Sequence, residues 1–556
     1  MDYMENYRRW LSSDSLTKEE KEELQKMDEA TIQDCFYRDL EFGTGGMRGV
    51  MGLGPNRMNR FIITKATLGF ARYLLDNEKD AKNRGVVIAH DNRYNGDEFT
   101  KATSDVLTSL GIRVYIFDAL RTTPELSFAV RYLNACGGIN ITASHNPKHY
   151  NGYKIYNSDG NQLILEQSNI VMDNIAKIDN ELAIRLTPDN SKVVMLDNKV
   201  DEAFYKMVID TSLNKDVNHH GLKIVYTPQH GTGYVPVTTI LNRLGYDLTE
   251  VKEQCYPYHD FRNTKSPNPE NKEAYELALE YAKKVNADLI IANDPDCDRI
   301  GIVCFDKDRN PIYLTGNQAA AILIKYILDY KKEHNVLPKN GIIYNTIVTS
   351  PLGGLIAKDY GVSLGQTLTG FKYIGDRIKK DTDYTFLMGY EESYGYLFNQ
   401  QVRDKDGVQA ATLISEMAAY YKDHGYTLAD IYEQIQQKYG YFAEVQASFY
   451  KEGEEGAKII ASMLEAQRNG NIAEIAGEKV VTKEDYLLSY AITDGKKIPL
   501  DFEKSNVIRY LFEDGSFVCI RPSGTEPKIK YYFALKGKTK EEANARLSKM
   551  QNYFLK

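Results

Sequence analysis

The first group of side chains suited to chemistry is a serine in a short polar loop. Ser144 follows the apolar residues 139–141 and precedes His145, Asn146 and Pro147. Proline fixes its own φ and keeps the preceding residue out of a helix, so such a loop presents the serine in a defined pose. A plain strand-to-loop turn is the alternative, and for this string alone it is the more frequent outcome. Three further polar loops favour the chemical interpretation.

The second polar loop, residues 294–299, contains three alternating aspartates. In an extended segment Asp294, Asp296 and Asp298 would point to one side. Crowded like charges are unfavourable without a cation, and carboxylate oxygens suit Mg²⁺ or Ca²⁺ better than a soft metal. The glycine at position six and the glutamate at position twelve of an EF-hand are missing. A solvated acidic turn is the remaining alternative, and apolar runs on both sides, 289–292 and 300–305, argue against it.

The other two loops suit a sugar and a phosphate. Residues 389–395 provide two glutamates and a serine, which can hydrogen-bond to vicinal hydroxyls. Residues 521–527 combine a guanidinium, two hydroxyls and a glycine-exposed backbone amide, which together form a phosphate cradle. Earlier in the chain, Arg48 lies in a glycine-rich run and offers a planar fork for phosphate, although a flexible surface turn is the alternative there. Lys154 is a plausible phosphoryl neighbour, and Arg93 follows a predicted strand end that faces the same crevice.

These four strings together resemble the α-D-phosphohexomutases, in particular the phosphoglucomutase branch. The resemblance rests on Thr-Ala-Ser-His-Asn-Pro at 142–147, Asp-x-Asp-x-Asp-Arg at 294–299, Glu-x-Ser at 391–393 and Arg-Pro-Ser-Gly-Thr-Glu-Pro at 521–527, and it extends from about residue 43 to residue 532. It implies reversible interconversion of α-D-glucose 1-phosphate and glucose 6-phosphate through a phosphoserine enzyme. It also implies Mg²⁺ as the cofactor, with glucose 1,6-bisphosphate as the intermediate and as the activator of an enzyme that has lost its phosphate.

The same resemblance implies a set of site residues. The catalytic residues are Ser144, Arg48, His145, Lys154 and Lys405. The metal ligands are Ser144, Asp294, Asp296 and Asp298. The substrate-binding residues are Arg299, Thr369, Gly370, Lys372, Glu391 and Ser393, and the phosphate-binding residues are Arg521, Ser523, Gly524, Thr525 and Lys530.

The sequence departs from the family pattern at two places. Pro295 and Cys297 stand in the metal loop where glycines are common, which stiffens the loop and leaves every ligand position intact. Some relatives continue the sugar loop with a catalytic histidine, but this chain has Tyr396, so that role is not transferred. The string Arg-Asp-Lys-Asp-Gly at 403–407 matches a lysine motif of the phosphoglucomutase branch, and Lys405 becomes the candidate for proton transfer. A solvated surface lysine is the alternative.

Three alternative functions are a hydrolase, a mutase for another sugar and a non-catalytic regulator. A serine–histidine hydrolase using His145 is disfavoured because adjacent residues rarely form a nucleophile–base hydrogen bond and because G-x-S-x-G is absent. A phosphomannomutase, a dual glucose/mannose enzyme or a phosphopentomutase stays open, since sequence does not separate these sugars. A sugar-phosphate-binding regulator without catalysis is disfavoured by the intact serine and aspartates.

The elements that position these loops alternate between short apolar strands and helices. Strands are predicted at 86–89, 113–117 and 138–141, with helices at 97–110 and 124–133, after an amphipathic helical start that is anchored by Tyr7, Trp10 and Leu11. The same alternation of strands and helices begins again at 222–292 and at 341–388. Such alternation predicts largely parallel sheets, with the polar loops at strand ends. The last stretch alternates at 442–449, 507–511 and 518–520, which predicts an antiparallel sheet.

The predicted fold class is therefore three related α/β domains with mixed, largely parallel sheets plus a C-terminal α+β domain, arranged around a central cleft. The predicted boundaries are 1–205 with the serine loop, 206–312 with the metal loop, 313–435 with the sugar loop and 436–556 with the phosphate loop. A length of 556 residues fits several domains.

The composition of the chain limits the kinds of partner that the protein can bind. A net charge of −8 argues against nucleic acid, and no apolar run approaches the ~20 residues of a membrane span. Six scattered cysteines and a charged N-terminus without a secretory signal predict a cytoplasmic protein. The family resemblance implies a small sugar phosphate as its partner. Whether it is a monomer or a homodimer is not visible in the sequence.

Overall fold

The computed structural model describes residues 2–43, 46–451, 453–470, 472–522 and 528–555. The chain forms two compact units. The first contains Met1–Thr315, Phe371–Gly389 and Ser393–Thr427, and the second contains Gly316–Gly370, Tyr390–Glu392 and Leu428–Lys556. Across the described ranges, no helix is both long enough and apolar enough to cross a membrane.

The first sheet of the first unit has six strands in the order β1-β5-β4-β2-β3-β6. Its strands are β1 (Gly46–Val50), β2 (Val86–His90), β3 (Val114–Phe117), β4 (Gly137–Ile141), β5 (Tyr150–Asn157) and β6 (Val193–Leu196). The helices of this part are α1 (Tyr3–Leu11), α2 (Lys18–Gln25), α3 (Glu29–Phe36), α4 (Arg60–Asn77), α5 (Ala81–Arg84), α6 (Gly96–Ser109), α7 (Thr123–Tyr132), α8 (Leu165–Ala176) and α9 (Lys199–Ile209). The strands β2, β3, β4 and β6 run parallel, whereas β5 is antiparallel to both of its neighbours, β4 and β1, so the predicted mixed sheet is confirmed.

The N-terminal helices pack as expected around a tryptophan. Trp10 is fully buried and its indole N–H donates to Glu181 at 2.8 Å. Thr17 and Glu20 form the capping box that starts α2, each bonding to the backbone N–H of the other. These contacts confirm a packing role for residues 1–40.

The glycine-rich run around Arg48 is partly a strand, which corrects the prediction of a loop. β1 pairs with β5 through a register that places Arg48 opposite Gly152. A side chain at Gly46, whose φ is +133°, would meet the carbonyl oxygen of Tyr153 at 1.9 Å. Glycine is therefore required there by the close approach of two strands.

The second sheet has five strands in the order β11-β10-β9-β7-β8. It contains β7 (Lys223–Thr227), β8 (Asp247–Glu250), β9 (Leu289–Asn293), β10 (Ile300–Phe305) and β11 (Pro311–Leu314), with helices α10 (Tyr234–Leu244) and α11 (Glu276–Val285). The pairs β7–β8 and β7–β9 are parallel, whereas β10 is antiparallel to both of its neighbours. Every residue of β9 and β10 is buried, as the apolar runs predict.

The next part of the chain returns to alternating helices and strands. Its elements are α12 (Gly316–Glu333), β12 (Gly341–Thr346), α13 (Leu352–Asp359), β13 (Ser363–Thr367), α14 (Phe371–Lys380), β14 (Thr385–Glu391), β15 (Gly395–Leu397), α15 (Gly407–Asp423) and α16 (Leu428–Tyr439). Within the second unit β12 and β13 pair in parallel. The predicted loop 389–396 is mostly strand, because β14 continues to Glu391 and β15 begins at Gly395. Only a tight turn remains between them.

The C-terminal part is an antiparallel sheet with two helices, as predicted. Its elements are β16 (Tyr441–Tyr450), α17 (Gly453–Asn469), β17 (Glu474–Ile475), β18 (Glu478–Asp485), β19 (Tyr490–Thr493), β20 (Lys496–Pro499), β21 (Ile508–Phe512), β22 (Phe517–Pro522), β23 (Lys528–Gly537) and α18 (Lys540–Leu555). The strand order is β16-β23-β22-β21-β18-β19-β20, with β17 paired to β18. The four boundaries that were predicted from the sequence remain a prediction.

Candidate active site

Ser144 lies at the reversal point of the first sheet. The chain winds from β2 to β3 on one side and then crosses to β4 on the other, so a crevice opens between the carboxyl ends of β2 and β4. Ser144 follows β4 and is 1% exposed. Its φ is +51°, which is rare for a residue with a side chain. The Ser144 hydroxyl donates to Asp294 Oδ2 at 2.7 Å, which places the serine against the metal loop.

The three aspartates converge through a turn, not through an extended segment, and this corrects the reasoning behind their prediction. The N–H of Cys297 donates to the carbonyl of Asp294 at 2.9 Å, and Cys297 has φ +56°. One oxygen of each carboxylate lies within 4.8 Å of those of the other two, and all three aspartates are buried. Asp294, Asp296 and Asp298, hereafter the aspartate triad, are thus a compact set of oxygen ligands.

Neighbouring glycines accommodate Pro295 and Cys297. A side chain at Gly231 would come within 2.5 Å of Pro295 Cα, and one at Gly233 would come within 2.8 Å of the Cys297 sulfur. Thr232 donates its backbone N–H and its hydroxyl to the Pro295 carbonyl, at 2.8 and 2.9 Å. These contacts hold the backbone of the metal loop, so Pro295 and Cys297 leave the three aspartate ligands in place.

Two lysines surround the triad. Lys154 Nζ donates to Asp296 at 2.6 Å and to Asp298 at 3.1 Å, and Lys405 Nζ lies 3.2 Å from Asp298. Lys405 is 9% exposed, so the alternative of a solvated surface lysine is wrong. The backbone N–H of Arg299 donates to Asp294 at 3.0 Å, while its guanidinium pairs with Glu270.

The charges of this cluster divide the aspartates into two classes. Burial and the charges of Asp296 and Asp298 raise the pKa of Asp294 well above its ordinary value. Burial also raises the pKa of Asp298, but Lys154, Lys405 and Arg299 outweigh it and lower that pKa. Repulsion between the carboxylates thus acts most strongly on Asp294, and a bound cation would relieve it.

The donor set fits a hard divalent cation. Across the described ranges, the second oxygens of Asp296 and Asp298 have no hydrogen-bond partner although both are buried. Buried carboxylate oxygens without partners are costly unless a cation or water binds them. All ligands are oxygens, which Mg²⁺ prefers. Asp294, Asp296 and Asp298, together with the Ser144 oxygen, are the residues that would bind it.

His145 and Arg48 flank the serine. His145 Nδ1 is 3.2 Å from Ser144 Oγ, so the argument that adjacent residues would not meet is wrong for this loop. Burial and the charges of Arg299 and Arg48 lower the pKa of His145 well below 6.5. The single Ser144 proton is donated to Asp294, which leaves no proton for a base at His145. Arg48 is exposed on β1 and donates to Asn146 at 3.2 Å.

The predicted sugar residues of the second unit are close together. The N–H of Gly370, next to Thr369, donates to Glu391 at 2.9 Å, which joins the predicted substrate loop to the sugar turn. Glu392 was not predicted as a site residue. It accepts hydrogen bonds from the hydroxyls of Thr346 and Thr349 at 3.2 and 3.1 Å. Burial and the charge of Glu391 raise the pKa of Glu392 to about 7.

Two other predicted substrate residues belong to the first unit. Lys372 is the second residue of α14 and is 8% exposed, and its carbonyl accepts a hydrogen bond from Asn161 at 2.9 Å. Ser393 is half-buried in the turn between β14 and β15.

Of the residues predicted to form the phosphate cradle, the structure describes Arg521 and Lys530. Arg521 is half-buried on β22, directly opposite Lys530 on β23. Ser523, Gly524 and Thr525 lie outside the described residues. Cross-strand neighbours share a face, so two cations occupy one side of this sheet. Burial and the charge of Glu392 raise the pKa of Tyr532, a residue on that same face of β23, and the charge of Arg521 opposes this rise.

Comparison with known proteins identifies the family. Models of the four phosphoglucomutase/phosphomannomutase domains match in order: alpha/beta/alpha domain I at residues 39–182, domain II at 201–307, domain III at 315–439 and the C-terminal domain at 456–549. The chain belongs to the phosphoglucomutase/phosphomannomutase family. The four-domain α/β fold expected from the sequence is thereby confirmed, as is membership of a family of mutase enzymes.

Curated relatives agree with this assignment, and solved structures share the fold. The chain is 40% identical over 506 residues to a phosphoglucomutase of Staphylococcus haemolyticus, covering 90% of this chain and 91% of the relative. It is 39% identical over 539 residues to a phosphoglucomutase of Staphylococcus aureus, covering 95% of each. Its fold resembles a putative phosphomannomutase from Thermus thermophilus (21% identity, TM-score 0.69, coverage 93% and 99%) and the Paramecium phosphoglucomutase parafusin (19% identity, TM-score 0.67, coverage 93% and 95%).

Proposed function

We propose that this enzyme interconverts α-D-glucose 1-phosphate and glucose 6-phosphate through a phosphorylated Ser144. The observation that supports it most is the 2.7 Å hydrogen bond between the Ser144 hydroxyl and the buried aspartate triad. A serine hydroxyl alone is a weak nucleophile. A phosphoserine beside a cation and two lysines is a phosphoryl donor that needs no activating base.

The metal proposed for the triad is Mg²⁺. When bound, it would neutralise charge that develops on the transferring phosphoryl oxygens. The protein contributes the ligand oxygens, the Thr232 hydrogen bonds that fix the loop, and the Lys154 ammonium that limits the remaining charge.

The proposed reaction begins with transfer from Ser144 to a free sugar hydroxyl. The bond between Ser144 Oγ and phosphorus breaks, a bond between the sugar oxygen and phosphorus forms, and the hydroxyl proton leaves to a nearby base. We assign that base to Lys405 in its neutral form. Its buried Nζ lies 3.2 Å from Asp298, and on taking the proton it becomes the ammonium that pairs with this carboxylate. The product is glucose 1,6-bisphosphate. After the intermediate turns over, its other phosphate returns to Ser144.

The binding groups for the sugar and the distal phosphate lie in the second unit and in the sugar turn. We assign the sugar hydroxyls to Glu391 and Ser393 and the phosphate to Arg521 and Lys530, whose like charges on neighbouring strands are favourable when an anion lies between them. One phosphate site and one phosphoryl donor are sufficient for a sugar that binds in either direction.

The proposed partner is a small sugar phosphate, and the proposed location is the cytoplasm, where thiols stay reduced. Six cysteines are free thiols in the described part of the chain, which fits a reducing compartment.

The test is a comparison of glucose, mannose and ribose 1-phosphates at saturating Mg²⁺, with and without glucose 1,6-bisphosphate. We expect the highest kcat/KM for glucose 1-phosphate and a faster approach to steady state with the bisphosphate. Ser144→Ala should be inactive, whereas Ser104→Ala, a buried serine on α6, should retain activity. A preference for mannose or ribose would assign the enzyme to another branch, and turnover by Ser144→Ala would refute the phosphoserine.

A further inference from the structure

Arg93 lies directly behind the Ser144 loop, outside the set of predicted site residues. Its side chain is 0% exposed and is paired with Asp91, which is 1% exposed. Nε donates to Asp91 at 3.1 Å. A guanidinium has five N–H donors in a fixed planar arrangement, and the other four donate elsewhere.

Those four donors all meet backbone carbonyls of the serine loop. Nη2 donates to the carbonyls of Ser144 and Asn146, each at 2.6 Å. Nη1 donates to the carbonyls of Pro147 and Tyr150, at 2.8 and 2.9 Å. One arginine therefore fixes both the beginning and the end of a seven-residue loop (residues 144–150), with no donor left over for a ligand.

A second branch of the same network reaches the N–H side of Ser144. Asp91 Oδ2 accepts a hydrogen bond from the Thr142 hydroxyl at 2.5 Å, and that hydroxyl oxygen accepts the Ser144 N–H at 2.8 Å. Arg93 binds the Ser144 carbonyl directly. Both polar groups of the Ser144 backbone are thus bound by the Arg93–Asp91–Thr142 network, which explains how a non-glycine residue keeps a φ of +51°.

We infer that Arg93 is a positioning residue for phosphoryl transfer, holding Ser144 in the left-handed conformation that directs its oxygen to the aspartate triad. This inference rests on the proposed function of Ser144. Arg93 touches neither substrate nor the reacting atoms, so its effect is on orientation. Without it the loop regains other conformations, and the Ser144 oxygen spends less time 2.7 Å from Asp294.

The test uses Arg93→Lys, which keeps the positive charge but has three donors on one nitrogen and cannot span four carbonyls. The main readout is single-turnover phosphorylation of Ser144 by glucose 1,6-bisphosphate, followed by intact mass. We expect a rate at least about 100-fold lower in Arg93→Lys, with little change in KM for glucose 1-phosphate. Hydrogen exchange of the amides of residues 144–150 should accelerate.

A matched control is Arg121→Lys, which alters another largely buried arginine whose partners are Asp118 and Asp201. It should lose stability without slowing phosphorylation. If Arg93→Lys does not fold, Thr142→Val removes only the hydroxyl between Asp91 and Ser144, and should slow phosphorylation about tenfold. The two variants should combine less than additively because they act on one network.

The outcomes separate the two proposals. If the wild-type enzyme never gains phosphate, the proposed function fails. If the wild type is phosphorylated and Arg93→Lys and Thr142→Val are phosphorylated at the same rate, the positioning inference fails. If KM rises while the phosphorylation rate is unchanged, Arg93 acts in binding, and the inference is also overturned.

Discussion

Replacing Arg521 with methionine should weaken catalysis and stabilise the protein at the same time. Arg521 on β22 lies directly opposite Lys530 on β23. Like charges at opposed cross-strand positions are destabilising, so Arg521→Met should raise the unfolding free energy, by at most the roughly 0.2–1 kcal/mol that a cross-strand pair contributes. The same change would remove the bidentate, charge-assisted contact to phosphate that we propose for Arg521. Such contacts contribute about 1.5–3 kcal/mol, which corresponds to a roughly 10- to 150-fold loss of kcat/KM.

The assay measures kcat/KM in both directions together with the midpoint of thermal unfolding. Arg521→Met should lower kcat/KM equally for glucose 1-phosphate and glucose 6-phosphate, because the proposed cradle would take the distal phosphate of each. Arg521→Lys keeps the charge, so it should lose activity without gaining stability. Lys536→Met removes a cation from the far end of β23 and should leave both kcat/KM values unchanged.

Stabilisation of the folded protein by bound glucose 6-phosphate provides an independent test of the phosphate cradle. Glucose 6-phosphate at 100 times its Kd should stabilise the wild type by about 2.7 kcal/mol, and this gain should largely vanish in Arg521→Met at the same concentration. A loss of activity confined to one direction would refute the cradle. So would an unchanged kcat/KM in both directions.

Three further predictions follow from the buried charges. Dialysis against EDTA should abolish turnover, and Mg²⁺ should restore it. Zn²⁺ should restore turnover poorly because it prefers tetrahedral sites. Full activity in excess EDTA would exclude a metal at the triad. Lys405→Met should lower kcat by about 10²–10⁴-fold with a smaller change in KM, and an unchanged kcat would remove Lys405 from proton transfer. Burial raises the pKa of Asp406 to about 7, so the native state holds this proton more tightly than the unfolded chain does. The unfolding free energy should therefore fall by up to about 4 kcal/mol as pH rises from about 4 to 7. Asp406→Asn keeps the helix cap to Val408 and Gln409 and should flatten that part of the stability profile; an unchanged slope would show that Asp406 is ionised throughout.

The sequence predicted the fold well wherever apolar periodicity was strong. The strands β2 and β4 and the helix α7 were expected within a residue or two of their observed limits. β1 was missed because its glycines, required by the close approach to β5, mimic a loop. The strands β18 to β20 were missed because they are only partly buried or exposed and rich in charge, so no apolar alternation marks them.

The candidate site was predicted by residue type more than by geometry. Local strings select Ser144 and the triad as candidates. They do not predict the turn at Cys297 that brings the aspartates together, because a positive φ at a cysteine has no signature in the sequence. The role of Arg93 depends on four carbonyls more than fifty residues away, which only the folded chain brings within reach. Glu392 was overlooked because its pKa shift arises from burial and a neighbouring carboxylate.

The central claim is that Ser144 accepts and donates the phosphoryl group. Its most direct test is the intact mass of the enzyme before and after brief exposure to glucose 1,6-bisphosphate, with fragmentation to locate the added group. One phosphate should appear on Ser144 in the wild type, disappear when excess glucose 6-phosphate is added, and never form in Ser144→Ala. Phosphate on another residue, or an active Ser144→Ala enzyme without phosphate, would contradict the mechanism.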